Sequence, residues 1–373
     1  MNTKLTPKVS VIIPSYNHGR FIENAINSVL NQTFKDFELI IADDASPDDS
    51  VEKIRRFKDS RIKFYSFEQN KGAVDTTNFC ITKCVGEYIA LLNSDDAWKE
   101  NKLEMQVRFL DENLDIGAVF TDALFINEEG KELTKETFQW ADVFNKDNRS
   151  SGQWFKQFFF HLNCFCHPSI LIRKNVYDKT NLYNHCLRQL PDFAMWIDVL
   201  KFTSISVIKE KLVVFTIFTQ TENTSTDTPT NKVRNMNEIY LIMKEFFYDM
   251  PLNVFIDGFN ELLFNKHIET YEEMQCEQAF LYFKTDNDIS HIFKLIGIEK
   301  MYSLLKIDKT RIILRDKYKF TDKEFFDLTG SLEINDYSNK NFSQIVIDQV
   351  RKKVYPSKKM FNFLRSIYKN IKK

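Results

Sequence analysis

No run of this chain comes near the ~18 consecutive apolar residues of a membrane-spanning helix, and nothing apolar precedes the first strand in the N-terminal MNTKLTPKVS. The expectation is therefore a cytoplasmic protein, neither secreted nor membrane-spanning. Cysteine is scarce: six in 373 residues make no disulfide framework. Cys80 and Cys84, one helical turn apart, read as core thiols, and Cys164, Cys166 and His167 with His185 and Cys186 fit no familiar zinc spacing. Net charge is lacking too, at -1, which removes the electrostatic case for a nucleic-acid partner.

Against these absences stand a 43% hydrophobic composition and a length sufficient for about two domains. Residues 9–13 (VSVII) and 38–42 (ELIIA) are continuous apolar runs, as in strands buried on both faces. Residues 62–66 and 88–92 read as two more strands, with helices at 21–30, after Asp49 and at 74–84 between them. Such alternation predicts an α/β fold with a parallel sheet and right-handed crossovers, so that the loops after Ile13, Ala42 and Leu92 meet at one edge. Further on, 103–113 and 191–202 read as helices and 118–127, 169–172 and 212–218 as strands. Residues 128–152 read as a polar, mobile excursion, and the Thr/Asn run 219–231 as a flexible domain boundary. From Lys232 the pattern is helical, with Ile239, Ile242, Met243 and Phe246 on one face.

The most informative stretch is 86–98, GEYIALLNSDDAW. A short apolar strand ends abruptly in Asn93, Ser94, Asp95 and Asp96, at the place where open α/β sheets bind ligands. Adjacent carboxylates repel unless a cation sits with them, and a divalent ion on a diphosphate meets that need; an Asx turn capping a helix near Lys99 is the other reading. Asp43 and Asp44 end the second strand in the same way. The C-terminal residues 351–373 hold nine Lys/Arg and no Asp or Glu, with Met360, Phe363, Leu364, Ile367 and Ile371 on one helical face. Such a helix either lies on an anionic membrane surface or packs its stripe on the rest of the chain.

Taken in order, KVSVIIPSYN, FIENAINSVLNQTFKDFELIIADDAS, NKG, GEYIALLNSDDAW, HPSILIRK and LPDFAMW resemble family 2 glycosyltransferases over about residues 7–228. The resemblance implies a GT-A fold, Rossmann-like with a mostly parallel sheet flanked by helices, here followed by a helical C-terminal extension. It implies inverting transfer from a nucleotide sugar. By the same resemblance Pro14, Ser15 and Tyr16 hold the nucleoside, Asp44 accepts the uracil N3 hydrogen, and Asp95 reaches the ribose or the sugar. Asp96 then binds Mg²⁺ or Mn²⁺ on the diphosphate, and Asp192 is the catalytic base. UDP is the favoured nucleotide, since one imide donor between two carbonyls suits a carboxylate.

The sequence departs from the family where Asn93 replaces a common Asp, Pro191 a common Glu, and where FTIFTQTENTS lacks the usual Arg and His. Trp196 is expected in the core beneath the base, and His167 outside the catalytic set. The domains expected are 1–231 for catalysis, 232–350 helical and 351–373 a basic amphipathic tail. The implied function is a non-processive, metal-dependent transfer of a hexosyl or N-acetylhexosaminyl group from a UDP-sugar to a growing, lipid-linked cell-surface glycan, at the cytoplasmic membrane face. No Gln-x-x-Arg-Trp motif accompanies it, which disfavours a polysaccharide synthase, and no Gly-rich N-terminal loop, which disfavours nucleotidyl transfer. The rival from another class is a catalytically silent nucleotide-sugar-binding scaffold that recruits partners through its helical part.

Overall fold

The computed structural model describes residues 6–218, 226, 228–285, 287 and 289–331, in two compact units, Met1–Thr321 and Asp322–Lys373. The first unit begins β1 (Val9–Ser15), α1 (Ile22–Leu30), β2 (Phe37–Asp43), α2 (Ser50–Arg56), β3 (Ile62–Ser66), α3 (Ala73–Lys83) and β4 (Tyr88–Leu91). It continues with β5 (Ala97–Trp98), α4 (Lys102–Glu112), β6 (Ile116–Asn127), α5 (Ser151–His161), β7 (Leu171–Arg173), α6 (Lys174–Tyr177), α7 (Pro191–Phe202) and β8 (Ser204–Ile217). The helices α8 (Pro229–Lys244), α9 (Leu252–Phe259), α10 (Tyr271–Leu281), α11 (Ser290–Leu305) and α12 (Asp308–Tyr318) complete it. Of the second unit, the helix α13 (Asp322–Ser331) is described; the basic tail 351–373 lies outside the described residues.

The strands form one sheet in the order β3-β2-β1-β4-β7-β6-β8-β5. β3, β2, β1 and β4 are parallel, as expected from the near-continuous apolar runs of β1, β2 and β4. Beyond β4 the sheet is mixed: β7 runs antiparallel to both β4 and β6, β8 is parallel to β6, and β5 is antiparallel to β8. Because successive side chains point to opposite faces, Val11 and Ile13 of β1 pack with α1 and α4 while Ile12 packs on the other face with α3, α5 and α7.

Several local expectations are corrected. The acidic pair does not cap a helix near Lys99: the two-residue strand β5 comes first, with Lys99 N–H bonded to the Leu212 carbonyl, and α4 starts at Lys102. The excursion 128–152 is pinned. Phe138 and Phe144 pack against Phe125, and Asn148 pairs with both the N–H and the carbonyl of Val207. Its last residues open α5 through a capping box formed by Ser150 and Gln153. Of the Thr/Asn run, residues 219–225 and 227 lie outside the described residues, and Thr228 caps α8 by accepting from the Asn231 N–H.

Phenylalanine, 35 residues in all, joins the helical segment to the sheet layer. Phe159 of α5 lies within ring contact of Phe246, Phe247, Phe259, Tyr282 and Phe293. At the crossing of α5 with α9, a Cβ on Gly258 would sit 2.1 Å from the Gly152 carbonyl oxygen, so the two backbones touch only because neither carries a side chain.

Candidate active site

The loops after β1, β2 and β4 meet at one edge of the sheet, as the alternation of strands and helices requires. Asp44 N–H donates to the Ser15 carbonyl at 2.8 Å, Asn17 N–H to Ser46 Oγ at 2.9 Å, and His18 Nδ1 lies 2.7 Å from Ser94 Oγ. Asn17 and Ala45 both sit at positive φ, 57° and 59°, a strained conformation for residues with a Cβ that the surrounding loops must hold. Of the expected nucleoside turn, Ser15 is buried with its hydroxyl on Asp43, while the Tyr16 ring is 46% exposed beside it. Asp43 is absorbed by structure, accepting from the N–H and the hydroxyl of Ser46.

Asp44 is buried, and its two oxygens accept the N–H groups of Lys71 and Gly72 at 2.7 and 2.8 Å. Gly72, at φ 95°, lets the NKG loop turn both amides onto the carboxylate. Each carboxylate oxygen has two acceptor sites, so Asp44 keeps one free on each oxygen beyond the two amides. Asp95 and Asp96 follow β4. Asp96 is 3% exposed; its oxygens accept from the Thr216 N–H of β8 at 2.8 Å and the Asn93 amide at 3.0 Å. Burial, then the adjacent Asp95 charge, push its carboxyl well above the usual range, against the pull of those two donors. Asp95 is the more accessible of the two, with His18 Nε2 3.9 Å from its carboxylate.

A hard dication fits this donor set: two adjacent, partly buried carboxylates repel until a cation joins them. Among the described residues no group of three His, Cys, Asp or Glu side chains could by itself enclose a metal ion. The protein would thus furnish a partial oxygen shell, completed by phosphate and water, as Mg²⁺ and similar ions take it. His18 was not foreseen as part of this region. The resemblance assigns Pro14, Ser15 and Tyr16 of this turn to the nucleoside and gives His18 no role; only the fold brings the ring to Ser94, where it stacks parallel to Phe218.

Asp192 stands in the first turn of α7, after Pro191, whose missing N–H costs nothing at that position. Burial raises its carboxyl above the usual range, while His167 and the Phe193 and Asn163 donors oppose the rise. Asn163 donates to Asp192 Oδ2 at 2.8 Å, and its own carbonyl oxygen accepts the Phe165 N–H at 3.1 Å. His167, from the turn before β7, faces Asp192. Burial keeps its imidazole on the neutral side, and Nε2 lies 3.0 Å from the Tyr183 hydroxyl. Tyr183 is in turn fixed by Asn78 of α3, which pairs with both its N–H and its carbonyl. Trp196 lies beneath, fully buried, with its ring 5.8 Å from that of His167. Glu238 of α8 accepts the N–H groups of Arg188, Gln189 and Leu190, on the chain leading to Asp192, at 2.8–2.9 Å.

The turn 166–169 joins the two halves of the site: Cys166 feels the charges of Asp96 and Lys102 while the next residue faces Asp192. Cys84 and Cys164 are pushed up to about 12 and about 11 by burial, and unprotonated thiolate is what a reactive cysteine needs.

A match to the family model described as glycosyl transferase family 2 spans residues 10–179. The chain is 31% identical over 195 residues to the UDP-Glc:alpha-D-GlcNAc-diphosphoundecaprenol beta-1,3-glucosyltransferase WfaP of Escherichia coli, covering 52% of this chain and 70% of that one. The chain belongs to glycosyl transferase family 2. Another member named for the same reaction, WfgD of Escherichia coli, is 33% identical over 205 residues, covering 54% of this chain and 72% of its own. The family 2 chain described here spans 48–72% of the length of the first curated relatives it matches. S. aureus TarS 1–349, solved in complex with UDP-GlcNAc, superposes with a TM-score of 0.52 at 16% identity, over 85% of this chain and 89% of that one. That likeness supports the GT-A fold, including the helical region after the sheet.

Proposed function

We propose that this chain is an inverting, metal-dependent, non-processive glycosyltransferase that moves a sugar from a UDP-sugar to a hydroxyl of a growing, lipid-linked cell-surface glycan. The observation that carries the reading is Asp192: a half-buried carboxylate with its proton affinity raised, anchored on a helix N-terminus and joined through the 166–169 turn to the acidic pair after β4. A base poised nearer neutrality takes the acceptor hydroxyl proton as its oxygen attacks the anomeric carbon. Asp44, held rigid by the NKG amides, accepts the imide N–H of uracil, and Pro14, Ser15 and Tyr16 border the nucleoside. Asp96 would hold Mg²⁺ or Mn²⁺, with Asp95 toward the ribose or the sugar, and the ion would supply charge neutralisation for the departing diphosphate. The nucleotide and the lipid-linked acceptor are supported by the names of WfgD and WfaP, and UDP by the ligand of TarS.

The test is release of UDP from UDP-Glc and UDP-GlcNAc with Mn²⁺, with and without lipid-extracted acceptors. Turnover that EDTA and Asp192→Asn each abolish supports the enzyme. One observation favours the silent scaffold: both oxygens of Asp96 already accept hydrogen bonds, one of them from Asn93 where relatives carry an acid. Nucleotide-sugar binding without any release would establish that reading instead. No helix among the described residues is long and apolar enough to cross a membrane. Peripheral attachment at the inner membrane face through residues 351–373 is the corresponding proposal. Equal pelleting on anionic vesicles of the full chain and a chain ending at Val350 would refute it.

A further inference from the structure

Asn163 is set in an unusual local frame. The preceding Leu162, at the C-terminal end of α5, has φ 58° and ψ -161°, a region costly for any residue with a Cβ and retained only where the surroundings enforce it. The consequence is that the chain turns sharply out of α5 and delivers the Asn163 side chain to the first turn of α7. Its amide is not free to flip. The Oδ1 atom accepts the Phe165 N–H at 3.1 Å, which leaves Nδ2 as the atom 2.8 Å from Asp192 Oδ2. A half-buried carboxylate with one oxygen held by an oriented donor is restricted in the direction it presents to solvent.

We propose that Asn163 is a positioning residue for the Asp192 base, fixing the orientation in which the carboxylate meets the acceptor hydroxyl. This rests on the assignment of Asp192 as that base. The other titratable groups that face Asp192 are His167, from the turn before β7, and the Tyr183 phenol behind it, with Glu238 of α8 on the chain leading into α7. Of these, none donates to the carboxylate in the way Asn163 does: His167 directs Nε2 to Tyr183, and Glu238 is engaged by backbone amides.

The isosteric Asn163→Asp separates positioning from a role in holding the loop. It keeps an oxygen to accept the Phe165 N–H, and so preserves the turn, but replaces the donor to Asp192 with a second acceptor of like charge. The full chain is assayed for UDP release from UDP-Glc and UDP-GlcNAc with Mn²⁺ from pH 5 to 9, beside Asn163→Ala and Asp192→Asn. A carboxylate that loses a hydrogen bond to its charged form, or gains a negative neighbour, holds its proton to higher pH. The expected result for Asn163→Asp is a fall in kcat of about 10-fold or more, in line with general-base contributions. KM for the sugar nucleotide stays within about threefold, and the acid limb of kcat moves to higher pH. Asn163→Ala shifts the limb in the same direction by less. A second readout does not need turnover: the ¹³C carboxyl resonance of Asp192, assigned by its loss in Asp192→Asn, titrates at higher pH in Asn163→Asp. A wild-type rate, limb and titration in Asn163→Asp overturn the proposal and leave the base intact. Undiminished turnover in Asp192→Asn removes the base itself, and the positioning role with it.

Discussion

Glu238 ties the helical segment to the catalytic loop, and its removal gives the sharpest test of that coupling. The side chain is buried and accepts three consecutive amide hydrogens, from Arg188 at 2.9 Å on Oε1 and from Gln189 and Leu190 at 2.8 and 2.9 Å on Oε2. Two residues beyond Leu190 stands Asp192. Hydrogen bonds to a charged partner each contribute about 1.5–3 kcal/mol, and orphaned buried donors cost about 1–3 kcal/mol. Since the three amides share one carboxylate and are not additive, Glu238→Ala is expected to cost about 3–5 kcal/mol. Glu238→Gln keeps one oxygen for the Gln189 and Leu190 pair but turns an amide NH₂ toward the Arg188 N–H, at a cost of about 1–3 kcal/mol.

Thermal melting of the two variants reads the stability term, and for a unit of this size about 2 °C per kcal/mol is expected, so Glu238→Ala should melt about 6–10 °C lower. Steady-state UDP release reads the second consequence. If the 188–190 segment relaxes by ~1 Å, kcat falls by up to about 100-fold, because a base must stay within reach of the proton it takes. Calorimetric affinity for UDP should not change, because Asp44 and the acidic pair make none of these bonds. A Glu238→Gln protein with lowered Tm but wild-type kcat would refute the positional part of the reasoning. A wild-type Tm in Glu238→Ala would refute the energetic part.

Three further outcomes follow from buried groups. Asp192 carries a raised pKa in the fold, so it destabilises the native state once pH exceeds the unfolded value of 3.8. Asp192→Asn should therefore melt higher than wild type at pH 7 while losing activity, and the difference should vanish as pH falls below that value; no stabilisation at pH 7 would contradict it. Lys102 is fully buried, donates to Gln106 at 2.7 Å and lies 3.9 Å over the Trp98 ring, and burial holds its amine well below the usual 10.5. Its cost is greatest at low pH and fades toward 10.5, so wild type should gain stability relative to Lys102→Met between pH 7 and 10, as denaturant midpoints would register; parallel pH curves would count against it. Gly258→Ala puts a methyl 2.1 Å from the Gly152 oxygen and should cost about 1–3 kcal/mol or more by forcing α5 and α9 apart, with Gly330→Ala as the neutral control because nothing lies within 4 Å of its added Cβ.

How much of this was legible depends on where each signal comes from. β1, β2 and β4 were readable because burial on both faces leaves unbroken apolar runs. α7 matched its expected limits because Pro191 and Thr203 bracket an apolar helix. The first half of β8 was missed: Ser204–Ile208 alternates weakly, and it becomes a strand only by pairing with β6 across a bulge at Asp122. β7 has three residues and gives no hint of its antiparallel direction. α5 went unassigned although Trp154, Phe155, Phe158 and Phe159 recur at helical spacing, because aromatic runs also suit strands. In the site, Asp44, Asp95 and Asp96 were visible as carboxylates just past strand ends. Asn163, His18 and Glu238 were not, since their partners lie 29, 76 and about 50 residues away and no local pattern encodes them.

The same contrast explains what the helical segment is for. A sheet covered on one face by α1 and α4 still needs cover for Ile12, Ile40, Ile89 and Leu91 on the other. α3, α5 and α7 supply that layer, and Trp154, Phe155, Phe158 and Phe159 make α5 apolar on more than one side. A helix that is apolar around much of its circumference must be buried on both sides, and α8 to α11 bury the outer side with Phe246, Phe247, Phe259 and Phe293. α5 ends at Leu162 and Asn163, and α8 carries Glu238. The packing that satisfies the phenylalanines therefore also delivers Asn163 to the Asp192 carboxylate and Glu238 to the backbone amides of the segment leading into α7. Stability of the third layer and geometry of the base are in this way one problem, solved by the same helices.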